Sequence, residues 1–115
     1  MSEIKLGSPA DASTDMGPLA DGAQAAAVSR YLEIGNKDGR ALVGGSKVED
    51  IGPNFVLPTV FADVPDTSQL NIEEAFGPIL IFHEFDGEPE VIARANDTEC
   101  KYLTHHVSFV IFLSS

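Results

Sequence analysis

With 115 residues and 43% hydrophobic content, the chain is long enough to bury one small core and too short to demand two domains. Eighteen acidic residues against seven basic ones give a formal net charge of −11, which excludes nucleic acid phosphates and anionic membrane surfaces as favoured partners. One cysteine forms no internal disulfide, Met1 to Leu6 lack the apolar core of a signal peptide, and the longest apolar run, Phe109 to Leu113, is far short of the ~20 residues of a membrane-spanning helix. The cytosol is the expected compartment.

Residues 7 to 20 mix two prolines and two glycines with Ser, Thr and Asp, and read as either an ordered loop or a flexible leader. Asp21 is placed to cap a helix from about Gly22 to Asp38, with Ala27, Tyr31 and Ile34 on its apolar stripe, Val28 and Leu32 flanking it, and Gly39 as the stop. Ala41 to Val43 is a short strand. The following Gly44-Gly45-Ser46-Lys47 is a turn, not a phosphate loop, because Val48-Glu49-Asp50 and a Gly52-Pro53 turn come next in place of a helix N-terminus. Phe55 to Phe61 is the next strand, and Pro58 inside it implies an edge, a bulge or an interruption.

Ser68 to Ala75 reads as a short helix, partly buried through Leu70 and Ile72. A helix carrying Glu73 and Glu74 must stop at Gly77-Pro78, since proline lacks an amide donor and restricts the residue before it. Ile79 to Phe82 is apolar at both parities, which predicts a strand covered on both faces. Asp86-Gly87 then turns into a helix over Glu88 to Ala95, with Val91, Ile92 and Ala95 facing inward and Glu90 four residues before Arg94.

The segment Glu73-Glu74-Ala75-Phe76-Gly77-Pro78-Ile79-Leu80 closely resembles the E-E-x-F-G-P-[VI] motif of the NAD(P)-dependent aldehyde dehydrogenase superfamily. Ser13 to Leu19 (S-T-D-M-G-P-L), Phe55 to Phe61 (F-V-L-P-T-V-F) and Ala95 to Glu99 (A-N-D-T-E) extend the resemblance in family order over most of the chain. Asn54 stands where the family often carries an aromatic, a departure that concerns packing more than chemistry. The resemblance implies an α/β fold, a partial mixed or parallel sheet with flanking helices, forming a piece of the catalytic domain over residues 1–99 with residues 100–115 as a departing tail.

In complete relatives, the resemblance implies, a cysteine thiolate attacks an aldehyde, hydride passes to NAD or NADP, and a glutamate activates the water that hydrolyses the thioester. Those groups and the nucleotide-binding fold lie upstream of the segment this chain resembles, and no dinucleotide glycine fingerprint occurs here. Two roles carry over. Glu74 corresponds to the carboxylate that accepts hydrogen bonds from the nicotinamide ribose hydroxyls, and Phe76 to the aromatic beside that ribose and ring. The alternative of a core phenylalanine at a strand entrance stays open for Phe76, and Glu73 carries no assigned role. The cofactor is not expected to bind tightly to this chain, because the phosphate and adenine contacts are missing.

Cys100 is not the missing nucleophile, since it falls where the family carries a tyrosine followed by Gly-Leu. His105-His106 make a poor metal site, because neighbours on a strand point to opposite faces and no third ligand is suitably spaced. Asn96-Asp97-Thr98 matches a glycosylation sequon that is idle in the cytosol. Cys100-Lys101-Tyr102 can be encoded by a sequence containing GTAAGT, a common intron start, so residues 100 to 115 are expected to be translated intron, the alternative being a real strand that has replaced the family's own; the gene and transcript sequence across Glu99 decides between them. Val107 to Leu113 would then be a β-prone apolar run with no designed place in the fold. The resulting expectation is a truncated family member, inactive alone. The alternatives are a non-catalytic acidic interaction module and the product of a defective gene model. The choice of aldehyde, of NAD or NADP, and of oligomeric state rests on residues outside these motifs.

Overall fold

The computed structural model describes residues 3–48, 50–73 and 75–97. It is an α/β unit in which helix α1 (Gly22–Asp38) lies against a three-stranded mixed sheet of order β1 (Arg40–Val43), β2 (Thr59–Ala62), β3 (Ile79–Phe82). Strands β1 and β2 are antiparallel, with a bulge between Ala41 and Val43, whereas β2 and β3 are parallel with Thr59 opposite Ile79 and Ala62 opposite Phe82. Short helix α2 (Gln69–Ile72) lies in the β2 to β3 connection and α3 (Glu88–Asn96) follows β3.

Helix α1 has the expected bounds because its caps are chemical. The Asp21 carboxylate accepts from the Gln24 amide at 2.8 Å, a cap worth ~1 kcal/mol, and the Gly39 amide closes the last turn on the Gly35 carbonyl. The buried face is rotated from the expected stripe: it is Ala25, Val28, Tyr31, Leu32 and Gly35, while Ala27 is exposed. Gly35 sets that rotation. A Cβ built there would stand 2.3 Å from Cε2 of Phe61, so the fully buried Phe61 ring rests on bare helix backbone. Val28, Tyr31, Leu32, Val56, Phe61, Val64 and Leu70 form the core around this contact.

Residues 3–20 resolve the first open alternative as an ordered loop. Lys5 accepts from the amides of Asp15 and Met16, Leu6 and Met16 form a parallel bridge, and the Leu19 amide donates to Asn54 at 2.8 Å. The glycine pair after β1 is a turn, with φ of +71° at Gly44 and +90° at Gly45. The Gly45 amide is committed to the Thr59 hydroxyl, so it is no phosphate donor. The strand expected over Phe55 to Phe61 is interrupted at Pro58: Val56 bridges to Lys47, and the ladder begins only at Thr59, whose amide donates to the Pro78 carbonyl. β2 is central, so the edge alternative does not hold.

Three expectations are corrected. The helix expected to run from Ser68 to Ala75 covers only Gln69–Ile72, with Glu73 already extended, so Glu73 does not lie within α2; the Ser68 hydroxyl caps its start. β3 is covered on one face, not two. Ile79 and Ile81 pack on the core, whereas Leu80 is 58% and Phe82 48% exposed, because among the described residues nothing lies over that side. In α3, Ile92 is exposed and Val91 only half-buried. Arg94 joins α3 to the chain before it, donating to the Asp66 carboxylate at 2.6 Å and the Glu84 carbonyl at 3.1 Å beside the expected Glu90 pair at 3.5 Å.

Candidate functional site

The corner that follows α2 is laid along one face of α1, at positions four and three residues apart on that helix. Gln24 donates from Nε2 to the Phe76 carbonyl at 2.8 Å while its Oε1 accepts from the Ala20 amide. Val28 is the next rung: a Cβ on Gly77 would sit 2.5 Å from Val28 Cγ2, so only glycine lets the corner approach this closely. Tyr31 is the third. Its hydroxyl donates to Glu73 Oε2 at 2.7 Å, and Arg30 reaches the same oxygen at 3.3 Å.

Electrostatics at the third rung are consistent with that geometry. The Glu73 carboxylate, which accepts the phenolic proton, pushes Tyr31 above its ordinary value, and burial adds to the effect. The Arg30 guanidinium lies over the Tyr31 ring, 5.0 Å from its centroid. Phe76, fixed through its carbonyl, is 71% exposed. Within this chain it does not pack in the core, whereas Ile79 and Ile81 do. An open aromatic face on a backbone held at both neighbours can stack on a flat ligand. Glu74 lies outside the described residues.

A second concavity, a cleft of about 430 Å³, opens beyond the ends of β2 and β3, lined in part by Arg40, Asp63, His83 and Arg94. Its cations are matched within the chain. Arg40 pairs with Asp63 at 3.1 Å, and His83 is held between Asn71 Oδ1 at 2.8 Å and Arg94 Nη2 at 3.2 Å. This arrangement fits a neutral imidazole that donates from Nε2 to Asn71 and accepts at Nδ1 from Arg94. The cleft is a seam joining β3 to α3, and sequence reasoning did not single out His83.

Burial lowers His83 from its ordinary 6.5, Arg94 lowers it further, and Asp66 opposes both. The unfolded chain thus takes up this proton at a higher pH than the folded one. The contribution of His83 to stability is complete above 6.5 and is lost as pH falls through 6.5 towards the lower folded value. Urea unfolding of the chain and of its His83→Gln variant is expected to show the parent's advantage, ~1 kcal/mol at neutral pH, shrinking by about pH 5. An advantage that grows on acidification would show that the fold holds His83 charged.

Cys100, His105 and His106 lie outside the described residues, as do Thr98 of the sequon and the tail run Val107 to Leu113. Among the described residues no group of three or more His, Cys, Asp and Glu side chains is placed to hold a metal, and no helix is long and apolar enough to cross a membrane.

The sequence profile of the aldehyde dehydrogenase family matches residues 1–102, running three residues past Glu99. A betaine aldehyde dehydrogenase from Mesorhizobium japonicum is 48% identical over 101 residues, covering 84% of this chain and 21% of that protein. Geranial dehydrogenase from Castellaniella defragrans is 40% identical over 99 residues, covering 86% and 21%. Among solved structures, an NAD+ complex of an aldehyde dehydrogenase from Bacillus cereus superposes with a TM-score of 0.79 at 41% identity, over 84% of this chain and 20% of that one. A Mycobacterium tuberculosis aldehyde dehydrogenase complexed with NAD+ gives 0.76 at 37%, again over 84% and 20%. The chain thus spans 21% of the length of these curated relatives.

Proposed function

Since the chain belongs to the aldehyde dehydrogenase family, we propose that its corner at residues 73–78 is the part of an NAD(P)-dependent aldehyde-oxidising domain that contacts the nicotinamide ribose. Glu74 and Phe76 would hold that end of the cofactor, the carboxylate accepting from the ribose hydroxyls and the ring packing beside them. The cofactor, when bound, is the hydride acceptor. What supports the reading is the exposure of Phe76, 71% on a backbone pinned to α1, which leaves its ring open to a ligand. The fit is partial. No glycine-rich turn leading into a helix N-terminus occurs among the described residues, so nothing there offers a cradle for the cofactor's phosphates.

Affinity is expected to be weak, because a contact confined to one end of a large ligand does not offset the cost of ordering it. Saturation transfer from the chain to the nicotinamide and ribose protons of millimolar NAD+ is the measurement. Phe76→Ala is expected to abolish the transfer and Glu74→Gln to reduce it. Transfer untouched by Phe76→Ala, or micromolar affinity by calorimetry, would contradict the proposal. A second reading, an acidic interaction module, draws on the open sheet face at Leu42, Leu80 and Phe82 and on the net charge of −11. It predicts no effect of Phe76→Ala on NAD+.

A further inference from the structure

We infer that Glu73, the motif's other glutamate, is a positioning residue that sets where the Phe76 ring stands by locking the corner to Tyr31 of α1. The inference rests on the reading of Phe76 as a cofactor contact. Glu73 has already left helical geometry, with φ −99° and ψ 149°, so its side chain is free of α2 and turns to α1. There it accepts from Tyr31 at 2.7 Å and Arg30 at 3.3 Å. Tyr31 is 8% exposed and part of the core, so the hydroxyl that Glu73 grips is itself immobile.

The corner is thereby clamped on both sides of position 74. Glu73 is held to Tyr31 before it, and Phe76 and Gly77 are held to Gln24 and Val28 after it. The carboxylate of Glu73 is thus engaged by α1 and acts on the ring through the backbone it holds. Without the Glu73 clamp, Gln24 and Val28 still hold the corner's far end, so the fold survives while the exposed ring loses its fixed direction. The Arg30 to Glu73 ion pair contributes little to stability, its two side chains being 58% and 40% exposed.

The test uses the full chain with NAD+ as the probe, read by saturation transfer to the nicotinamide protons and normalised to the folded fraction from circular dichroism. Glu73→Ala is expected to weaken the transfer about threefold or more, the scale of coupled contacts. Glu73→Gln, which keeps an acceptor for the Tyr31 hydroxyl, is expected to restore most of it. Tyr31→Phe should match Glu73→Ala, and the double variant should be no weaker than either alone. Should Tyr31→Phe fail to fold, the comparison of Glu73→Ala with Glu73→Gln decides alone, because a loss caused only by lower stability would disappear on normalisation. Transfer abolished by Phe76→Ala yet unchanged by Glu73→Ala overturns the positioning role and leaves the cofactor reading standing. Transfer unaffected by Phe76→Ala, or absent from the parent chain, overturns both.

Discussion

Replacing Phe61 by alanine is expected to cost the fold about 3–5 kcal/mol, enough to unfold much of the population. The ring is fully buried, lies on the central strand and touches α1 where Gly35 leaves no side chain between them. A domain of this size has roughly 5–15 kcal/mol of stability in all, so one such cavity removes a large share. The same contact gives the opposite experiment. Gly35→Ala drives a methyl to within 2.3 Å of the ring, and overpacking of this kind costs ~1–3 kcal/mol or more, against the gain usual when alanine replaces a helical glycine. Combining Gly35→Ala with Phe61→Leu should recover part of the loss, since the shorter side chain vacates the space. Guanidinium unfolding followed by circular dichroism measures all three. Single variants within ~0.5 kcal/mol of the parent would show that α1 does not rest on Phe61 in solution.

The extent of what could be read beforehand follows from which contacts are local. Helix α1 was legible to the residue because its cap and stop are encoded at Asp21 and Gly39. Its buried face was not, because glycine and alanine carry almost no hydropathy signal and the choice of Gly35 over Ala27 is made by Phe61, 26 positions away. Glu73 shows the same limit: local pattern put it on a helix, and a hydrogen bond to Tyr31, 42 residues earlier, takes its side chain elsewhere. Ile79 to Phe82 was read as doubly covered from its composition, but four residues encode only that a strand is apolar, not what packs on each side. Arg94 was seen as the partner of Glu90, while Asp66 lies in a turn before α2 and His83 just past the end of β3. The importance of Phe76 came from resemblance. What the structure adds is its exposure and its anchor at Gln24.

NADH formation by the purified chain, with a panel of aliphatic and aromatic aldehydes, is expected to stay at the level of buffer alone. The family's reaction needs a nucleophile, a base free to activate water and donors aimed at an oxyanion, and among the described residues Glu73 at the corner and His83 in the cleft are already committed. Glu73 accepts from Tyr31 and Arg30, and an acceptor already shared by two donors is a poor base. His83 has both ring nitrogens engaged, by Asn71 and Arg94, and its depressed proton affinity works against taking up a further proton. The amide of Gly45, in the glycine pair that most resembles a phosphate loop, donates to the Thr59 hydroxyl. That leaves Cys100, the one thiol in the chain, as the group whose removal is informative. Turnover that survives Cys100→Ala would mean that a group in this segment carries out aldehyde oxidation by chemistry other than a thioester. Turnover abolished by Cys100→Ala, with the circular dichroism spectrum unchanged, would make Cys100 the nucleophile and reverse its dismissal. The absence of turnover in both proteins, alongside NAD+ contact that depends on Phe76, would leave the chain as a segment that helps orient the cofactor and depends on other polypeptide for the chemistry.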